Sequence, residues 1–398
     1  MLGAQAELLD HLVETVRSEQ VDAVLVSGDV YDRALPSPDT VTLLSETVTR
    51  LVDAGAAVVI SSGNHDSAIR LGFAADLLAR SGLHIRSSLE GVGAPVVVTD
   101  RQGEKAAAVY ALPYLEPSTS AGPLATDERT HAGVLRAAMG RVRADIGAQA
   151  ALGSGAPMST VVMAHAFVTG GATCESERDI SVGGVSAVHP DVFDGVDYVA
   201  LGHLHGPQQL SDRIHYSGSP LAMSFGEHTH TKGSWLVELE PGRLATEFVP
   251  APVARGLRLL QGDLEDLLGS PAYAEAEDAY CQVTLTDPVR PLGAMDRLRA
   301  RFPHTLVLRF EPRGAVTRLS SYTAALGRAR SDLDVCCDFL QHVRAGRPST
   351  DGERVLLEEA LEASRIASAV RDDELGAMLP GLRHLAHGPG AESAEGVA

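Results

Sequence analysis

The chain has 398 residues, 44% of them hydrophobic, and carries 33 Lys and Arg against 52 Asp and Glu for a formal net charge of −19. That length permits two or three domains with a large buried core, and the acidic balance argues against a surface that grips nucleic acid through Lys and Arg alone, although metal ions can supply positive charge locally. No apolar run approaches the roughly 20 residues of a membrane span, no basic segment leads into an apolar one as in a secretory signal, and Cys174, Cys281, Cys336 and Cys337 lack Cys-x-x-Cys spacing, which speaks against a disulfide framework or zinc knuckle and fits a reducing cytoplasm.

Residues 4–19 place Leu8, Leu9, Leu12, Val13 and Val16 at helical spacing. "VDAVLVSGD" (21–29) then reads as a buried strand ending in a polar loop. "DTVTLLSETVTRLVDAG" (39–55) is a second amphipathic helix with a Gly stop, "AAVVISSGNHD" (56–66) a second buried strand, and "FAADLLARSG" (73–82) another helix. Continuous apolar strands alternating with helices predict an α/β layered fold with parallel strands. "APVVVTD" and "KAAAVYALP" are further strands, and a loop-like stretch leads into the helix "VLRAAMGRVRADIGAQA". "STVVMAHAFV", "VDYVALGHLHGPQ", "RIHYSGSP" and "GSWLVELEPG" continue the strand pattern. After "VPAPVARG" (249–256) the order becomes strand, helix, strand, helix, strand over 257–311, a small α+β module. Residues 329–371 are helical and charged, and "HGPGAESAEGVA" reads as a disordered tail.

Four strand ends in the first 250 residues finish in metal-competent side chains: Asp29 in "SGDVYD", Asn64 and His65 in "GNHD", His165 in "MAHAFV", and His203 and His205 in "GHLH". Parallel strands deliver their C-terminal ends to one sheet edge, where ligands bind. Gly28, Gly63 and Gly202 precede the polar groups and allow sharp turns. Taken singly, each has a plainer reading: a lone His is a satisfied polar residue, and "GDVYD" is a capped turn. Jointly, mixed carboxylate, amide and imidazole donors suit Mn²⁺, Fe²⁺ or Zn²⁺. A carboxylate can bridge two ions about 3.5–4 Å apart, which clamp the attacking and leaving oxygens of a phosphate ester.

The order GD, GNHD, H, GHxH resembles the calcineurin-like metallophosphoesterases. "VLVSGDVYDRALPSPDTV", "SGNHDSAIRLGF", "YVALGHLHGPQ", "IHYSGSPLAMSFGE" and "CCDFL" resemble, more closely, the SbcD family of nuclease subunits from bacterial SbcCD complexes. The resemblance implies an α/β fold, a four-layer metallophosphoesterase β-sandwich flanked by helices, with a capping domain and C-terminal helices. The boundaries expected are 1–250 for the nuclease domain, 251–320 for an α+β capping domain that engages DNA, 321–380 for helices that bind an SbcC-type ABC/SMC-like ATPase, and 381–398 for a disordered tail. It implies two Mn²⁺ (or Mg²⁺ or Fe²⁺), with Asp29 bridging them, Asn64, His165 and His203 on one ion, His205 on the other, and His65 as the catalytic residue. It also implies a homodimer within a heterotetramer, acting as a 3′–5′ double-strand exonuclease and single-strand or hairpin endonuclease in DNA repair, replication and recombination. Asp32 and Asp66 are read as loop braces and His215 as structural. Arg33, Arg70, Arg297, Arg299 and Arg301 are candidates for DNA contact, and Cys336 and Cys337 are read as packed.

One motif of that family, a strand ending in Asp-x-His before the first helix, does not occur in residues 1–28. The favoured expectation is a start site assigned too far downstream, which the upstream DNA decides. The competing one is a truncated chain whose second metal position keeps only His205 and the bridging Asp29. Two other functions stay open: a stand-alone metallophosphoesterase, and an impaired scaffold subunit.

Overall fold

In the computed structural model, residues 2–152, 158–174, 177, 187–313, 331–344 and 347–378 are described. Helix α1 (Leu2–Ser18) buries Val13 and Val16, as its apolar spacing predicts. It leads to strand β1 (Ala23–Ser27). Helix α2 (Pro38–Asp53) starts where Ser37 Oγ accepts from the Thr40 amide at 3.3 Å, with Pro38 in the first turn. Strand β2 (Ala57–Ser61) follows.

The single helix expected over 73–82 is a finding to correct. The chain forms two short turns, α3 (Ala68–Leu71) and α4 (Ala75–Leu78), followed by a 3₁₀ turn at Ala79–Ser81. Ala74, between them, has φ of 59°, a left-handed conformation that stops continuous α-helix. Strand β3 (Leu83–Arg86) then completes a parallel sheet in the order β1-β2-β3.

A six-stranded sheet contains β4 (Val96–Thr99), β5 (Lys105–Ala111), β6 (Ser159–His165), β7 (Tyr198–Gly202), β8 (Gln208–Ser211) and β9 (Ile214–Tyr216), in the order β4-β5-β6-β7-β9-β8. Strands β5, β6, β7 and β9 run parallel, and β4 and β8 are antiparallel edges. The short α5 (Pro117–Ser120) and the long α6 (His131–Leu152) lie between β5 and β6. Strands β10 (Gly233–Glu240) and β11 (Arg243–Pro250) form an antiparallel hairpin.

Strand alternation builds the layers. In β2, Val58 and Ile60 face the helices and pack with Val13, Val16, Val48 and Leu51. Val59 faces the other way, into a core with Val161 and Met163 of β6 and Val109 of β5. In β6, Val162 and Ala164 face α6 and pack with Val134, Ala138 and Met139. The result is helix, sheet, sheet, helix: the four-layer α/β sandwich that the sequence implied. Val58, Val59, Val134, Val162 and Met139 are fully buried, each a burial of about 1.5–3 kcal/mol.

His215 of β9 lies in this sandwich, stacked on Tyr198 and against Trp235, with ring centroids 5.5 and 4.4 Å away. It is 1% exposed, and neither ring nitrogen has a hydrogen-bond partner among the described residues. Burial pushes its pKa below the ordinary 6.5, with Asp212 pulling the other way. The unfolded chain therefore takes up a proton near pH 6.5 that the folded chain refuses, so stability falls as pH drops through that value. A His215→Phe chain is expected to be about 1 kcal/mol more stable at pH 7 and to lose less stability between pH 7 and 5. Parallel denaturant titrations of the two chains at both pH values test this, and identical acid limbs would refute it.

Further along, β12 (Leu257–Gly262), α7 (Leu264–Gly269), β13 (Tyr280–Leu285), α8 (Ala294–Arg301) and β14 (Thr305–Phe310) follow the strand-helix alternation read from the sequence. Their strands form a sheet of their own, in the order β12-β13-β14, over buried Leu264, Leu267, Val283, Leu298 and Phe302. Helices α9 (Asp332–Val343) and α10 (Asp351–Met378) close the described chain. The chain divides into two compact units, Met1–Thr284 with Gly293–Arg309, and Leu285–Leu292 with Phe310–Ala398. Within the second, Cys337 is buried and Arg354 donates to its Sγ at 3.6 Å. The tail reading for 381–398 lies outside the described residues. No described helix is long and apolar enough to cross a membrane.

Candidate metal centre

The C-terminal ends of β1, β2, β6 and β7 meet where the two sheets close on each other. Ser27 Oγ donates to the Ala200 carbonyl at 3.0 Å, tying β1 to β7 across the sheets. The chain turns at Gly28, whose φ of +88° suits glycine, and a Cβ there would stand 2.4 Å from His165 Nδ1. A Cβ on Gly63 would stand 2.1 Å from Asp29 Oδ1. These approaches let Asp29 and Asn64 reach one point. Asp29 itself is held at φ 48° and His203 at φ 104°, left-handed conformations of the kind that cluster at functional sites.

His165 defines what that point can hold. Its Nδ1 lies 3.0 Å from the Ser27 carbonyl, which only accepts, so Nδ1 carries the proton. In the neutral ring, Nε2 is then a bare lone pair. It faces two oxygens, Asn64 Oδ1 at 2.9 Å and Asp29 Oδ2 at 3.3 Å. Three acceptor atoms turned toward one another repel unless a cation lies among them. His203 adds its ring 5.3 Å from that of His165. Burial, then the neighbouring His165, push the His203 pKa down to about 4, with Asp29 opposing, so its ring is neutral and ligand-competent at neutral pH. Burial alone would raise the Asp29 pKa, but a protonated His165 ring, donating to the carboxylate from Nε2, and the His65 amide outweigh burial and hold the carboxyl low; with the ring neutral, a divalent cation takes the place of that proton. A carboxylate, an amide oxygen and two imidazoles fit a divalent ion of the Mn²⁺, Fe²⁺ or Zn²⁺ type.

His65 stands at the rim. Its Nδ1 donates to the Asp32 carbonyl at 2.9 Å, with Asp32 Oδ1 at 3.4 Å, and its Nε2 lies 3.9 Å from Asp29 Oδ2. Asp66 accepts from the amides of Gly63, Val30 and Tyr31 at 2.9–3.1 Å, which pins the loop after β2 to the loop after β1. Asp66 thus braces the two loops through its carboxylate, as the sequence reading expected, while Asp32 meets His65 through its backbone carbonyl and its carboxylate stays exposed.

His205 is placed differently from the other five site residues. Its Nδ1 lies 3.2 Å from Glu227 Oε1, and its amide donates to Glu177 Oε1 at 2.7 Å. One ligand atom each from Cys174, His205 and Glu227 falls within 4.8 Å of the others. Glu227 and its buried partner Lys232 were not singled out from the sequence. "SFGEHTHTK" has no periodicity to mark them, and a Glu and a Lys five residues apart usually sit in water.

The basic residues proposed for DNA contact are largely engaged elsewhere. Arg297 pairs with Glu265 at 2.5 Å, Arg301 with Glu277 at 2.9 Å, Arg299 donates to the Thr305 carbonyl at 3.2 Å, and Arg70 to the Ala34 carbonyl at 3.1 Å. Arg33 remains exposed beside Asp32. Glu265 and Glu277 offset the charge of Arg297 and Arg301, while Arg299 and Arg70 donate to backbone carbonyls.

Residues 2–110 match the family model of the calcineurin-like phosphoesterases. Residues 253–344 match the SbcD C-terminal model, described as the type 5 capsule protein repressor C-terminal domain. The first match spans Asp29, Asn64 and His65. His165, His203 and His205 lie between the two matches, so neither match covers them.

Proposed function

Because the chain belongs to the calcineurin-like metallophosphoesterases of the SbcD type, phosphoester hydrolases that use divalent metal, we propose that it is the nuclease subunit of an ATP-dependent SbcCD-type complex. It hydrolyses DNA phosphodiesters with Mn²⁺, which Asp29, Asn64, His165 and His203 would hold, and Asp29 and His205 would hold a second ion. The observation that carries this reading is the convergence of acceptor atoms on His165 Nε2. When bound, the metal supplies Lewis-acid polarisation of the phosphate and neutralises its charge. Asp29 and Asn64 orient the site, and His203 contributes a neutral imidazole. His65, with Nδ1–H fixed on the Asp32 carbonyl, is the general acid in its imidazolium form: protonated at both nitrogens, it gives the Nε2 proton to the leaving alkoxide and returns to the neutral ring with Nδ1–H retained.

The domain roles follow the same reading: 251–320 caps the site and engages DNA, and the helices of 321–380 bind the ATPase. Exposed Phe339, Val343, Val355 and Leu356 on α9 and α10 support a docked partner helix. Leu35, Ile69, Phe73 and Leu77 are each exposed, Ile69 by 89% and Phe73 by 81%, which supports self-association. Large exposed apolar patches are rare on monomers.

The test is cleavage of linear duplex and hairpin DNA by the full chain with Mn²⁺, with and without an SbcC-type ATPase and ATP. His65→Ala is expected to lower turnover by about 10²–10⁴-fold while Mn²⁺ binding measured by calorimetry stays unchanged. Hydrolysis of a small chromogenic phosphodiester with no DNA cleavage would overturn the nuclease reading in favour of a stand-alone phosphoesterase.

A further inference from the structure

The structure assigns to Glu227 the role of positioning residue for His205: a buried carboxylate, locked by Lys232, that sets which ring nitrogen of His205 carries the proton. This rests on the reading of His205 as a metal ligand. Glu227 closes a 3₁₀ turn, Phe225–Glu227, and its side chain is completely buried. Each of its oxygens is occupied. Oε1 accepts from His205 Nδ1 at 3.2 Å and from the Met223 amide at 3.1 Å. Oε2 takes Lys232 Nζ at 2.5 Å and Ser219 Oγ at 3.3 Å.

Lys232 is itself only 4% exposed and has three protons to place. Besides Glu227, its Nζ donates to the His205 carbonyl at 2.8 Å and to Ser219 Oγ at 2.9 Å. The Ser219 amide also donates to the His205 carbonyl, at 3.0 Å. Backbone and ring of His205 are thus held from one side by a single network. A buried ion pair is often no more stabilising than well-packed apolar side chains of the same size, so the contribution of this pair lies in what it holds.

The chemistry then sets the tautomer. A carboxylate only accepts, so Nδ1 of His205 carries the proton and Nε2 keeps its lone pair. A carboxylate behind the imidazole of a metal ligand fixes ring orientation and raises ligand basicity, and its loss costs on the order of 10–100-fold in metal affinity. The same atoms could instead form a thiolate site with Cys174, since the three ligand atoms lie within 4.8 Å. The Lys232 ammonium on Glu227 opposes a cation there, and 3.2 Å between Nδ1 and Oε1 is a hydrogen-bond separation. The network reading is the stronger.

The experiment uses the full chain. A Glu227→Met/Lys232→Met chain removes both charges together, so no lone buried charge remains to unfold it. A Glu227→Gln/Lys232→Met chain keeps a neutral acceptor oxygen. ¹⁵N-histidine spectra of the metal-free chain, assigned with His205→Asn, read the protonated ring nitrogen, and Mn²⁺ titration followed by EPR reads affinity. We expect Nδ1–H in the parent and in the Gln variant, Nε2–H appearing in the Met variant, and a loss of Mn²⁺ affinity on the order of 10–100-fold at one position in the Met variant alone. The proposal is overturned if the Met variant keeps the Nδ1–H tautomer, or binds Mn²⁺ like the parent while His205→Asn does not. It is also overturned if Co²⁺ gives a thiolate charge-transfer band that Cys174→Ser abolishes. If His205→Asn itself binds Mn²⁺ like the parent, the ligand reading of His205 fails, and the spectra show that failure apart from the Glu227 hydrogen bond.

Discussion

Replacing Asp29 by Ala gives a chain that no longer holds divalent metal and hydrolyses phosphodiesters at least about 10³-fold more slowly. The magnitude follows from the several kcal/mol that metal supplies to phosphoryl chemistry, at 1.4 kcal/mol per tenfold. Among the described residues Asp29 is the carboxylate that His165 Nε2 faces, at 3.3 Å, and its Oδ1 also accepts from the His65 amide at 2.9 Å. Its removal therefore takes a negative donor from the ion and a tether from the loop that carries Asn64 and His65. Because Asp29 sits at φ 48°, where Asp and Asn are tolerated better than Ala, Asp29→Asn is the companion variant. It keeps the fold and the amide tether and loses the charge. Calorimetric Mn²⁺ titration beside a phosphodiester assay checks both chains. Parent-like metal affinity and turnover in Asp29→Ala would remove the residue from the centre.

The second large effect is on stability. Gly202→Ala is expected to cost about 3 kcal/mol or more, the upper range for overpacking, and to abolish metal binding as a consequence. A Cβ on Gly202 would stand 1.7 Å from the Ser27 carbonyl oxygen, 2.8 Å from its carbon and 2.9 Å from His165 Nδ1. Two of those atoms are backbone, which no rotamer change can relieve, so β7 and β1 must separate. Gly147 in α6, where a Cβ meets nothing within 4 Å, is the control, and its Ala variant gains about 0.5–1 kcal/mol from helix propensity. Denaturation of the metal-free chains separates packing from ligand loss. A Gly202→Ala chain that unfolds at the parental denaturant midpoint would sink the argument.

These two residues also show what could be read from sequence and what could not. The polar groups at Asp29, Asn64 and His203 were legible because each follows an apolar run directly after a glycine, a pattern that, repeated in order along the chain, fits buried strands ending at one sheet edge. The layered fold was legible for the same reason, since β1, β2, β6 and β7 are apolar on both faces and so demand cover on both sides. Strands β3 and β11 passed unmarked because "LHIR" is too short and "RLATEFVP" alternates with exposed polar positions. The break at Ala74 was invisible, because alanine is a helix former and its left-handed φ comes from tertiary context. The ion pairs of Arg297 and Arg301 were not legible, since their partners Glu265 and Glu277 lie 32 and 24 residues away. Glu227 was missed because burial, not residue type, gives it significance.

The Ser27–Ala200 bond joins positions 173 residues apart, and this separation orders events as the chain is made. The β1-β2-β3 sheet is complete in sequence by Arg86, yet the partners for its inner face, Val59 and Leu25, come from β6 and β7. Contacts so distant along the chain are slow to form, because loop closure must precede any gain from them. On a ribosome the first sheet emerges with an apolar face waiting for strands not yet synthesised, a species prone to stick to its own kind. The proposed metal ligands close that interval. His165 and His203 arrive on the strands that cover the waiting face, so the ligand set proposed for the ion comes together at the step in which that apolar surface is covered.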